Sequence, residues 1–185
     1  MQWSLKTSIV KLSVFIRNTT HRDAPLIADL SHQTFIETFA SRNTRENMDK
    51  FLKEQFSKEL LMQEVGDHKN VFLLAFYNQE PAGYARLREN NNPPELQHLK
   101  TLEIARIYVL KKFIGKGVGK MLMQKSLAMA LRQKVDAVWL GVWEQNLAAI
   151  NFYQSWGFKK FATHIFMLGS DAQTDWLMKK DMGMV

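Results

Sequence analysis

Three glycines at alternate positions, Gly115, Gly117 and Gly119, sit among four lysines, Lys111, Lys112, Lys116 and Lys120. Residues without Cβ let a chain turn tightly and let a ligand approach the main chain. The residues before them, Ile104 to Leu110, are an apolar, β-branched run that reads as a buried strand. Those from Val118 onward read as a helix, whose first N–H groups lack intrahelical partners and whose dipole favours an anion. The chemistry this combination suits is phosphate binding. The same residues would also serve a tight strand-to-helix connection that binds nothing.

Spacing excludes two phosphate motifs. A P-loop needs Gly, four residues, then Gly-Lys-Ser/Thr, but here Gly119-Lys120 is followed by Met121 and the first glycine position is Ile114. A dinucleotide fingerprint needs a third glycine where Lys120 stands.

A second constellation runs from Trp143 to Phe158. Asn146 is a good N-cap, and Ala149 and Tyr153 fall at i and i+4 on one helical face. Gly157 is placed to end that helix in a left-handed cap. A tyrosine at such a position either packs in a core or presents its phenol to a ligand.

Together the two stretches resemble motifs A and B of the GNAT N-acetyltransferases. Gly117 and Gly119 match the glycines of Gln/Arg-x-x-Gly-x-Gly/Ala, with Gly115 and Lys116 between; Ile114 departs from it at the Gln/Arg position. Asn146, Ala149, Tyr153 and Gly157-Phe158 match motif B. The resemblance implies a GNAT fold, an α/β architecture with a mixed sheet flanked by helices, and acetyl-CoA as cofactor. It places the pyrophosphate on the main chain of Gly115, Lys116, Gly117, Val118, Gly119 and Lys120. Ile107, Tyr108 and Val109 would hold the thioester carbonyl, and Asn146 and Ala149 the pantetheine side. Tyr153 would be the acid that meets the departing thiolate. Phe35-Ile36-Glu37-Thr38-Phe39 with Asn43 and Met48, the strand Leu102 to Val109, and Phe166 to Gly169 with Thr174-Asp175 look like the PaiA-type group, which includes spermidine and spermine N-acetyltransferases.

Direct attack by an amine needs no enzyme nucleophile, in keeping with the absence of cysteine. It does need the ammonium to lose a proton. Glu103 on the central strand is the candidate base, its alternative being a structural carboxylate or one paired with Arg106; Glu144 is a second option. His32 and the other histidines are expected to have no role. A polyamine carries several positive charges, so it would need a local acidic pocket, for which Glu37, Glu103 and Glu144 are candidates.

The elements that must position these residues fit one domain spanning 1–185, with 1–12 as a loosely attached N-terminal extension. Hydrophobic residues make up 46% and charged residues 23%, an ordinary globular profile. No run is long enough to cross a bilayer, and the N-terminus lacks an apolar signal core, so a cytoplasmic location is expected. Without cysteine, disulfides, thiolate metal sites and a Cys nucleophile are excluded, and no metal is expected. The net charge of +7 raises the question of nucleic acid. Basic residues gather at the phosphate turn and at Lys159-Lys160 and Lys179-Lys180, without interleaved aromatics, so no nucleic-acid partner is expected.

In order, Ser13 to Arg17 reads as a strand. Asp23 reads as the cap of a helix that Pro25 starts, and Thr44 as the cap of a second. A further helical turn ends at Gly66. Val71 to Tyr77 and Ala82 to Leu87 form a hairpin across Asn78-Gln79-Glu80-Pro81, and Asn90 to Pro94 is a surface loop. A helix follows the glycines from Val118 to Lys134, burying Val118, Met121, Leu122, Ala128, Met129 and Leu131. Ala137 to Val142, Phe158 to Leu168 and Asp175 to Lys179 complete the strands. The function the resemblance implies is transfer of an acetyl group from acetyl-CoA to a primary amine, a polyamine among the acceptors. The alternatives are acetylation of a protein N-terminus or another small amine, or a non-catalytic CoA-binding module. Trp3 and Trp176 are the aromatics a homodimer would use, though lone surface aromatics are common.

Overall fold

Val71 to Tyr77 and Ala82 to Leu87 meet as the expected hairpin, but the turn is only two residues long. Asn78 and Gln79 both adopt positive φ (49° and 69°), the twist that joins antiparallel strands most tightly. Glu80 and Pro81 therefore belong to the second strand, and a bulge between Ala75 and Phe76 absorbs the proline. The computed structural model describes residues 13–89 and 91–183. The expected extension 1–12, with Trp3, lies outside them.

One seven-stranded sheet runs in the order β1-β2-β3-β4-β5-β7-β6. The strands are β1 (Val14–Asn18), β2 (Asn70–Tyr77), β3 (Glu80–Glu89), β4 (Thr101–Val109), β5 (Ala137–Trp143), β6 (Lys159–Leu168) and β7 (Asp171–Asp181). All neighbours are antiparallel except β4 and β5. Phe72 to Ala75 and Ala82 to Leu87 are buried without alternation, because helices cover both faces there.

Those helices are α1 (Ala24–Phe39), α2 (Arg45–Glu54), α3 (Lys58–Gly66), α4 (Val118–Gln133) and α5 (Leu147–Ser155). Pro25 stands in the first turn of α1 as expected, but Asp23 does not cap it with its side chain. Its carboxylate is held instead by Arg17 (2.6 and 2.8 Å) and by the Thr20 N–H (2.7 Å). Thr44 and Ser57 do cap α2 and α3, accepting from Asn47 and Leu60. Phe35, Phe51 and Phe56 gather with Met48, Leu61 and Leu168 in a second apolar cluster under these helices.

Helix α4 buries Val118, Leu122, Ser126 and Ala130, a stripe at i+4 spacing, with Met123 beside it. Met121, Ala128 and Leu131, expected inside, are exposed. The stripe passes through a serine because the Ser126 hydroxyl donates to the Leu122 carbonyl (2.9 Å), so its own polar group is paired. The Asn-rich loop is pinned rather than free: Asn92 Nδ2 donates to the carbonyls of Leu96 (2.9 Å) and Leu99 (2.7 Å). Trp176 is half-buried, with Lys160 Nζ 4.2 Å from its ring centre. Among the described residues no helix is long and apolar enough to cross a membrane.

Candidate active site

The site begins where the sheet comes apart. β4 and β5 pair only from Thr101 to Glu103, against Ala137 to Trp139, while β4 continues to Val109. Beyond Glu103, β5 keeps its other neighbour, β7, as far as Trp143. A register shift on the β3 side pairs Arg86 with Arg106 and Leu87 with Ile104, so Ala105 bulges and β4 bends at the parting. The result is a cleft of about 1010 Å³, with Ile104 to Val109 on one wall and Gly141 to Trp143 on the other.

At one end lies the glycine turn. Lys111 to Phe113 make a single tight helical turn after β4, and Gly115 and Gly117 then take φ of 81° and 83°. That conformation strains any residue with a Cβ. The first helical hydrogen bond of α4 runs from the Met121 N–H to the Gly117 carbonyl (3.0 Å), so the N–H groups of Val118, Gly119 and Lys120 are those the helix leaves unpaired. A side chain at Gly119 would meet Val109 at 3.7 Å and Phe152 at 3.8 Å, so β4, α4 and α5 converge here.

Gly115, Gly117, Gly119, Lys120 and Ile114 line the cleft. Two expected contributors do not line it with their side chains. Val118 is in the core, and Lys116 lies over the rings of Tyr77 (5.2 Å) and Phe113 (5.3 Å). Lys112 is engaged by Glu80, which leaves Lys111 and Lys120 as the lysines of the turn on the lining. Backbone donors and two lysines fit a diphosphate, and no side chain of the turn stands in its way.

Ile107, Tyr108, Val109, Asn146, Ala149 and Tyr153 carry the cleft onward. Asn146 caps α5, its Oδ1 accepting from the Ala149 N–H (3.2 Å), so its side chain fixes the helix start. Tyr153 is one turn beyond Ala149 on the same face, 8% exposed. Burial raises its pKa, so the phenol keeps its proton. Tyr108 is raised as well, first by burial, then by Tyr84, with Tyr153 and Asp175 adding to the effect.

The far end is aromatic. Phe35, Phe39, Phe51, Phe56, Trp143 and Phe166 surround it. Arg42 lies over Trp143 (5.8 Å) and Arg106 over Phe56 (4.5 Å). Glu64 is held between Arg86 and Arg106; burial, and then repulsion from Arg106, lowers Arg86 to about 10. Glu37 lines the cleft and accepts from the Lys111 N–H (2.8 Å).

Glu103 is not there. It accepts two hydrogen bonds from Arg88 (2.7 and 2.8 Å) and one from Asn91 (2.8 Å), is 6% exposed, and does not line the cleft. The partner is Arg88, which faces it across the β3–β4 pair, and not Arg106. Glu144 does not line the cleft either, so the three expected carboxylates do not converge.

Sequence reasoning gave no role to Asp175, which does line it. It stands on β7 opposite Trp143 of β5 and His164 of β6. Its pKa is pushed up to about 6, first by burial, with Glu144 adding to the rise and His164 opposing it. The signal available in the sequence was the Thr174-Asp175 pair, which the PaiA-type resemblance includes without giving it a role.

A model of the acetyltransferase (GNAT) family matches residues 29–158. The chain belongs to the GNAT acetyltransferase family. An N-acetyltransferase from the pepI 3′ region of Lactobacillus delbrueckii subsp. lactis is 36% identical over 167 residues, covering 90% of this chain and 96% of the relative. A spermidine N(1)-acetyltransferase of Thermoplasma acidophilum is 24% identical over 152 residues, 80% of this chain and 89% of that one. In structure the chain is similar to the PaiA N-acetyltransferase of Thermoplasma acidophilum in complex with coenzyme A, with a TM-score of 0.72, 24% identity, and 91% and 99% of the two chains covered. The GNAT fold expected from the two motifs is the observed fold.

Proposed function

We propose that this GNAT protein moves an acetyl group from acetyl-CoA to a primary amine by direct attack in a ternary complex. The observation that carries the reading is one continuous cleft, with unpaired helix N–H groups and two lysines at one end and the protonated phenol of Tyr153 at its bend. When bound, acetyl-CoA supplies the activated acetyl group. The N–H groups of Val118 to Lys120 would hold its diphosphate. The unpartnered edge of β4 at Ile107 to Val109 would offer main-chain donors to the thioester carbonyl as charge develops there. Tyr153 would give its proton to the departing sulfur.

Polyamines are the acceptors to try first. The spermidine N(1)-acetyltransferase relative supports this, as do the aromatic faces of Phe35, Phe39 and Phe166 at the acceptor end. Isothermal titration with acetyl-CoA, then a thiol-release assay across an amine panel, tests the whole reading. Binding followed by release with spermidine or spermine supports it. Binding without release on any amine overturns the enzymatic assignment and favours a CoA-binding module, the alternative to which Ile114 points.

A further inference from the structure

We infer that Asp175 takes the proton from the acceptor ammonium, with His164 beside it on the solvent side as the proton's way out. This rests on the acetyltransferase reading above and names the base that it requires.

Three carboxylates of the described residues line the cleft, and two of them are already committed. Glu64 is shared by two guanidiniums and Glu37 accepts from a main-chain N–H, while Glu103, outside the cleft, is closed off behind Arg88. Among the described residues none donates a hydrogen bond to Asp175 and no cation forms an ion pair with it, yet it is half-buried in the wall. The groups close enough to bear on its charge are Tyr108 of β4, His164 of β6, and Glu144 just past β5.

Gly141 makes the arrangement open. A side chain there would begin 3.6 Å from His164 Cε1 and 3.7 Å from Asp175 Oδ2, so the carboxylate and the imidazole border the same bare, exposed stretch of β5. His164 is exposed and sits directly across the strand pair from Asp175. An unpaired carboxylate raised toward neutrality by its surroundings is suited to accept a proton near neutral pH.

The step balances. The ammonium gives one proton to the Asp175 carboxylate, and its nitrogen lone pair forms the C–N bond at the thioester carbonyl. The tetrahedral adduct breaks the C–S bond, and sulfur takes the Tyr153 proton. The second proton on nitrogen returns through water to the tyrosinate, while the first leaves Asp175 through water and His164. Amide, thiol and one solvent proton result.

The test uses the full chain with acetyl-CoA and an aliphatic amine that the wild type acetylates. Asp175→Asn is expected to lose about 100-fold or more in kcat, with acetyl-CoA affinity unchanged. Its kcat/KM should rise with pH only as the amine itself ionises. With an alkoxyamine, unprotonated at neutral pH, the defect should shrink below about tenfold. His164→Gln, which removes the charge opposing the rise at Asp175, should move the acid limb to higher pH. The wild type alone gives a second measure, because its acid limb with the aliphatic amine should be absent with the alkoxyamine. Turnover in Asp175→Asn within about threefold of wild type, or an equal loss with both acceptors, overturns the assignment. A wild type that binds acetyl-CoA and acetylates no amine sinks the proposed function instead, a separate result.

Discussion

The N–H of Phe158 donates to the Tyr153 carbonyl at 3.1 Å, and their rings stand 6.2 Å apart. With the Gly157 N–H on the Gln154 carbonyl (2.9 Å), this closes α5 in a Schellman motif. The residue that carries the phenol is thus also the anchor of its helix end. Gly157 has φ of 87°, so Gly157→Ala should cost about 1–2 kcal/mol. The added methyl meets only the mobile tip of Lys180 at 3.1 Å, so strain in the backbone is the cause. Thermal unfolding reads the loss, and kcat should fall with it as the phenol shifts.

Tyr153→Phe keeps the ring and removes the proton. Turnover should drop about 100-fold while acetyl-CoA affinity stays within a factor of two. Because burial raises this phenol above its ordinary range, no alkaline limb from Tyr153 is expected below pH 10. Stopped assays across pH, with calorimetric titration of acetyl-CoA, check both points. Unchanged turnover would reject Tyr153 as the acid.

Glu103→Gln separates structure from chemistry. Its carboxylate neutralises Arg88 in a mostly buried pair, so the variant should lose about 1–3 kcal/mol of stability in urea unfolding. Its kcat should stay within threefold at a temperature where the variant is folded. A large kcat loss with stability intact would restore Glu103 as the base.

The glycine turn makes its own prediction. At φ of 83°, Gly117→Val forces a β-branched residue into a region it avoids, and the turn should open to relieve it. About 1–2 kcal/mol of distortion corresponds to about tenfold or more in acetyl-CoA affinity. Titration should show that loss with the unfolding midpoint only modestly lowered.

Asp175 bears on stability as well. Its carboxyl is raised to about 6 from 3.8, so between those values the folded chain binds a proton that the unfolded chain has released. Stability therefore falls as pH rises through this window, and the deficit is complete above it. Asp175→Asn should be more stable than wild type at pH 7.5, by about 3 kcal/mol at most, with the difference closing toward pH 4. Melting curves across that range check the sign.

What the sequence disclosed was local. The glycine turn, the Asn146 cap, the Ala149–Tyr153 face and the Gly157 stop are each set within a few residues, and all stand as expected. Glu103 sits as the structural carboxylate that was its alternative reading, but its partner is chosen by the β3–β4 register, which sets it against Arg88 rather than Arg106. Asp175 escaped because β7 reaches the cleft only by antiparallel pairing with β5, a long-range event that spacing does not encode. The buried stripe of α4 was legible only in part: Val118 and Leu122 stand in it as expected, but Ser126 hides its core position behind a polar name, while Met121 and Leu131 advertise one they do not hold.

Two slabs, β1–β4 and β5–β7, are joined by a seam of three residue pairs at Thr101–Glu103. Val109 lies six residues further along, about 20 Å away at the usual strand rise. A tilt of about 3° at the seam therefore displaces the rim by about 1 Å over that lever arm. The aperture is governed from its narrow end, and packing around Ala137 to Trp139 sets how stiffly it holds its width.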